Sequence, residues 1–115
     1  MKKEQNFMML FRFKPNPSYQ PSPEDIAQMQ TDWGQFIGNI AISEKLVSTD
    51  RLGFEGNKIQ SDGTVTSGML VADEQIVSGN MVVKAHSLEE ATEMAKGCPI
   101  LKMGGNVEVR SIAPM

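Results

Sequence analysis

Residues 7 to 13 read Phe7-Met8-Met9-Leu10-Phe11-Arg12-Phe13. Successive side chains of a strand point to opposite faces, so Phe7, Met9, Phe11 and Phe13 share one side and Met8, Leu10 and Arg12 the other. Both sides are bulky and apolar until Arg12, which suits a strand covered on both faces and leaving the apolar pattern near its end. The segment that follows, residues 14 to 21, contains Pro15, Pro17 and Pro21 and ends the strand. It is long for a strand-to-helix connection and reads as a lip over one sheet edge.

Ser22-Pro23-Glu24-Asp25 is a helix start: the Ser22 hydroxyl can accept from an orphan amide, Pro23 needs no donor there, and Asp25 can close a capping box. Ile26, Met29, Trp33, Phe36, Ile37 and Ile40 then recur at intervals of three and four, predicting a helix over 23–44 with one apolar stripe. Gly34 and Gly38 fit either a close approach of another backbone or solvent-facing positions. Residues 45–54 read as a strand ending near Gly53, and residues 57–71 as a small hairpin, with Asp62-Gly63 of the types favoured in primed turns. In the run from Gln75 to Ala85, Val77, Gly79, Met81, Val83 and Ala85 share one face. Ser87-Leu88-Glu89-Glu90 opens a second helix as another capping box, with Leu88, Ala91, Met94, Ala95 and Cys98 inward; Gly97 and Pro99 stop it. Gly104-Gly105 leads to a last strand with Val107 and Val109 on one face.

The order is strand, long helix, strand, small hairpin, strand, helix, strand. Right-handed crossovers put both helices on one side of an antiparallel sheet, the ferredoxin-like α+β arrangement of two βαβ halves, here with an inserted hairpin. Residues 1–6 are expected to be a flexible terminus and 7–113 a single domain. Because the first strand is apolar on both faces, the sheet side without helices is expected to pack against that of a second copy, giving a homodimer. The rival is a monomer whose proline-rich lip and hairpin fold over that face.

Composition narrows the function classes. Of 115 residues, 40% are apolar and 22% charged, a globular balance with a formal charge of -3. Lys2-Lys3 is the one adjacent basic pair, so no cluster is present to neutralise nucleic-acid phosphates. No apolar run is long enough for a membrane span, and the lone Cys98 has no internal disulfide partner; a cytoplasmic location is expected. Neither the glycines at Gly53 and Gly56 nor Gly104-Gly105 stand in a strand-turn-helix phosphate cradle, and the dispersed carboxylates make no metal set, so neither a cofactor nor a metal is expected.

Ser22-Pro23-Glu24-Asp25 leading into Trp33-Gly34, Lys45-Leu46-Val47, Asp50-Arg51-Leu52, Ser61-Asp62-Gly63, Ser87-Leu88-Glu89-Glu90-Ala91, Gly97-Cys98-Pro99 and Val107-Glu108-Val109-Arg110 together resemble the YCII-related family, in the branch named for a DGPF sequence. The resemblance spans roughly residues 7 to 112. It implies a ferredoxin-like dimer with facing sheets. Some smaller relatives are proposed to carry a histidine–aspartate pair in a cleft. This chain departs from that pattern: its one histidine, His86, precedes the second helix, and the DGPF stretch stands as Asp62-Gly63-Thr64-Val65.

Arg12 and Asp50 are the first candidates for chemistry. Arginine can clamp an anionic ligand through two parallel hydrogen bonds, and Asp50 can orient a proton donor or act as a general base, the catalytic role assigned to it here. The competing role for both is an ion pair at the sheet end. Trp33 and Tyr19 are candidate ligand-binding residues, Trp33 as a pocket wall and Tyr19 as a loop residue closing over a ligand; core packing and loop anchoring compete with these roles. His86, for which a capped helix start offers an ordinary surface position, and Cys98, on an apolar helix face with no histidine at a suitable spacing, are weaker candidates for proton transfer and nucleophilic attack. Two functions result: a small-molecule-binding protein or cofactor-independent enzyme with a cleft near Arg12 and Asp50, or a noncatalytic dimeric interaction module.

Overall fold

The computed structural model describes residues 3–16, 18–68, 71 and 74–113. Pro17 of the proline-rich segment, residues 69 and 70 of the expected hairpin, and Met1 and Lys2 of the expected flexible terminus lie outside the described residues. In chain order the elements are β1 (Gln5–Phe13), α1 (Pro23–Ile42), β2 (Leu46–Arg51), β3 (Asn57–Ile59), β4 (Val65–Ser67), β5 (Ile76–Ala85), α2 (Leu88–Ala95), a 3-10 helix (Pro99–Met103) and β6 (Asn106–Ser111). The protein is α+β: a four-stranded antiparallel sheet of order β2-β5-β1-β6, with β3 and β4 forming a separate ribbon.

Alternation along β1 divides its side chains as its sequence requires. Phe7, Met9 and Phe11 are buried, and they form one core with Met81, Val83 and Ala85 of β5, Phe36 and Ile40 of α1, and Ala91 and Ala95 of α2. Both helices therefore lie on one side of the sheet. The molecule extends only 20 Å along its thinnest axis. A sheet and a helix layer about 10 Å apart account for most of that depth, and among the described residues no element packs on the other side.

Local chemistry fixes the helix starts. Ser22 Oγ accepts from Asp25 N at 3.1 Å while Asp25 Oδ2 accepts from Ser22 N at 3.2 Å, closing the capping box. Ser87 Oγ accepts from Glu90 N at 3.1 Å, but Glu90 does not return the bond. Its carboxylate lies 3.4 Å from Lys45 Nζ instead, so the second box is half of what the spacing predicts. Leu88 and Ile26, both expected inward, are exposed, because each stands in the first turn of its helix, beyond the sheet-facing stretch. β1 begins at Gln5, where Gln5 and Asn6 pair with Ala85 and Lys84 of the fully extended β5; the ordered strand thus starts within the expected flexible terminus.

Two irregularities change which side chains are inside. Between Phe11 and Arg12 the register with β5 shifts, leaving Ser78 as an extra residue. This bulge turns Ile76 into the core and sends Val77, expected inside, to the opposite face beside Arg12. The hairpin turn is a three-residue loop rather than a two-residue primed turn. Gly63 N donates to Gln60 O at 2.9 Å, Gln60 N donates to Thr64 O at 2.8 Å, and φ is positive only at Gly63 (89°) among Asp62 and Gly63. Pro99 does more than stop α2: it stands first in the 3-10 helix, which buries Ile100.

The glycines separate into two kinds. An added Cβ at Gly34 or Gly38 would meet nothing within 4 Å, which settles these as open positions, whereas one at Gly79 would lie 2.6 Å from Asp50 O, part of the backbone of β2. Gly34→Ala is expected to stabilise the protein by about 1 kcal/mol through helix propensity. Gly79→Ala is expected to destabilise it by about 2 kcal/mol, since a strand must move. Urea unfolding of the two variants, compared with the parent chain, checks both signs.

Candidate functional site

The sheet side opposite the helices collects the even-numbered residues of β1. Register places Leu10 between Glu108 of β6 and Asn80 of β5, with Asp50 of β2 beyond Asn80. The next row holds Arg110, Met8, Val82 and Ser48, and Arg12 stands between Asn106 and Val77. Met8, Leu10 and Val82 thus form a partly exposed apolar floor, bordered by charge along β2 and β6.

Arg12 and Asp50 share this face, as strand parity and the interposed β5 imply, but they do not meet. They stand two strands and two residues apart, about 12 Å between Cα atoms from standard strand spacings. Arg12 turns the other way: its Nη1 donates to Glu108 Oε1 at 2.7 Å. Arg110 Nε lies 3.9 Å from the second oxygen of the same carboxylate, so Glu108 is shared by two guanidinium groups and the cluster retains excess positive charge. The exposed side chain of Asp50 makes no hydrogen bond or ion pair among the described residues. The expected competitor, an ion pair, is therefore realised for Arg12 with a different partner and is not realised for Asp50.

Trp33 lies on the other side of the sheet. Its ring packs edge-on against Phe11 at 5.3 Å and Phe36 at 6.0 Å, so within one chain it cannot share a cleft with Arg12 and Asp50. Core packing accounts for it: the inward stripe of α1 directs it to the buried side of β1. Tyr19 is exposed in the loop leaving the Arg12 end of β1, and its phenol makes no hydrogen bond among the described residues. Glu108 and Arg110 were not among the sequence candidates. The signal for them is alternation in Asn106-Val107-Glu108-Val109-Arg110, which puts both charges opposite the two core valines.

The helix side has a groove of about 510 Å³ between α1, α2 and the 3-10 helix, lined among others by Phe36, Ile40, Lys45, Glu90, Met94 and Lys102. Its charges are paired with one another. Lys45 Nζ lies 2.6 Å from Glu4 Oε2 and 3.4 Å from Glu90 Oε1, and Lys102 Nζ lies 3.9 Å from Asp32 Oδ2. The hydrogen bond from Lys45 holds the Glu4 carboxyl below its ordinary range, and the same bond raises Lys45. The groove is a gap between helices bridged by these pairs.

Among the described residues no three His, Cys, Asp or Glu side chains gather in a set that would hold a metal ion, and no helix is long and apolar enough to cross a membrane. Cys98 is buried, and burial pushes its thiol up to about 11. No family model matches the chain, and no curated protein matches it.

Two measurements probe these groups. From a free value of 9.0 to about 11, the thiolate fraction of Cys98 near pH 8 falls about a hundredfold, so a thiol reagent should react with the native protein at least that much more slowly than with the protein unfolded in guanidinium. A lowered Glu4 pKa contributes stability above its unfolded value and loses it as pH falls through the folded one; a raised Lys45 pKa contributes below its unfolded value and loses it as pH rises through the folded one. Lys45→Gln should therefore reduce the loss of stability between about pH 7 and about pH 3, read by urea unfolding across that range.

Proposed function

We propose that this chain is a ferredoxin-like protein akin to the YCII-related family, and that two copies pair through the open faces of their sheets around a cleft binding a small organic molecule. The strand order β2-β5-β1-β6, with one small ribbon inserted between β2 and β5, supports the fold reading. The resemblance of the quoted segments supports the family reading. The observation that supports the function is Asp50, exposed and without a side-chain partner, on a face whose floor is apolar, whose far side holds the Arg12–Glu108–Arg110 cluster and which the proposed pairing would cover. A dry interface over an unpaired carboxylate would cost several kcal/mol. A cleft that admits a ligand removes that cost.

The ligand that fits carries an anionic group for Arg12, a short apolar body for Leu10 and Val82, and a hydroxyl or amine donor for Asp50. Calorimetric titration of a panel of small hydroxy- and amino-carboxylic acids tests this. Arg12→Lys, which keeps the charge and loses the fork, and Arg12→Ala are expected to weaken binding progressively, the latter about tenfold or more. Asp50→Asn should weaken donor-bearing acids and leave their donor-less analogues unchanged. Binding that ignores all three substitutions, or no binding across the panel, overturns the reading. The exposed apolar ribbon favours a second reading, a noncatalytic interaction module, under which none of these acids binds.

A further inference from the structure

The ribbon β3–β4 is the part of the chain that its own core accounts for least. Two strands alone are marginal in water. Yet Ile59 and Val65, directly opposite each other on one face of the ribbon, are 73% and 57% exposed, and Phe54 at its base is 64% exposed. Lys58 and Thr66 occupy the other face. The ribbon leaves the sheet after β2 and returns at β5, so it emerges at the end that carries Arg12 and Asp50.

Surface area measures how much of the chain is left uncovered. The chain exposes 8420 Å², whereas a compact monomer of its mass exposes about 6,200 Å². Its radius of gyration is 16.0 Å, against about 13 Å for a compact chain of this length. The surplus is roughly 2,200 Å² per chain, so the open sheet face and the projecting ribbon leave room for a contact of the size that stable homodimers bury.

We infer that each ribbon docks its Ile59–Val65 face on the open sheet of a second copy, against Val77 at the Arg12 end of that face, beside the Leu10 and Val82 floor of the cleft. The cleft holding Arg12 and Asp50 is then built from two chains, and neither copy completes it alone. This rests on the dimer proposed above. A twofold axis makes the exchange reciprocal, so both apolar ribbon faces are covered by one operation. The chain's own ribbon stands apart from its sheet: among the described residues β3 pairs only with β4.

Sedimentation equilibrium of the full chain, with Ile59→Asp/Val65→Asp and Thr66→Asp on the opposite ribbon face, tests the inference. The wild type should be dimeric at micromolar concentration, the double variant should raise the dimer dissociation constant at least tenfold, and Thr66→Asp should leave it unchanged. A double variant that dimerises like the wild type, or a Thr66→Asp variant equally impaired, overturns ribbon docking and leaves the dimer standing. A monomeric wild type overturns both. Isotope-filtered NOEs in the unsubstituted protein read the same contact without relying on a variant's folding: signals from Ile59 methyls of a labelled copy to Val77 methyls of an unlabelled copy are expected, and their absence in a dimeric sample overturns the docking.

Discussion

The pairing of β1 on both edges is the constraint from which the remaining architecture follows. With β5 on one side and β6 on the other, the backbone donors and acceptors of residues 7 to 12 are committed to the sheet, and only the side chains are left to choose surroundings. Alternation then sends Phe7, Met9 and Phe11 beneath the helices and Met8, Leu10 and Arg12 to the other face. The helix layer is held by the first set, through Trp33, Phe36 and Ile40 of α1. Whatever the second set does must happen on a surface that this chain leaves without a layer of its own.

Much of this was legible in local residue chemistry. Ser22 with Asp25 and Ser87 before Glu90 mark helix starts because a hydroxyl beside an orphan amide is a local interaction, decided within four residues. The shared face of Arg12 and Asp50 follows from strand parity and chain order alone. Features decided between distant segments were not legible. The extra residue at Ser78 depends on how β5 meets β1, so the choice of Ile76 over Val77 for the core has no local signature. The partner of Arg12 depends on the stagger of β6, and nothing in the sequence around Arg12 points to Glu108 ninety-six residues on. Trp33 shows the limit from the other side: its inward position on α1 was readable, and the same fact removes it from the face that bears the charged residues.

The open face joins two kinds of surface that seldom serve one purpose. Its apolar floor resembles an interface, while the borders carry charge in unequal states of satisfaction. Glu108 is held by two arginines and Asp50 by none. A packing surface alone would favour neutral borders, since burying a carboxylate without a partner is costly. A binding surface alone would not need so much uncovered hydrocarbon. The two-chain cleft proposed above would use both.

The outer strands of the sheet bear on a different matter, the tendency of β proteins to grow by adding strands at an open margin. Both are six residues long, and β2 is interrupted where its register shifts between Leu46 and Ser48, leaving Val47 outside the regular ladder. A foreign strand laid along β2 would lose its hydrogen-bond spacing at that point. The β2 margin is thereby a poor template for an added strand, and the pairing proposed above, through the broad face, would close on itself instead of propagating into a fibre.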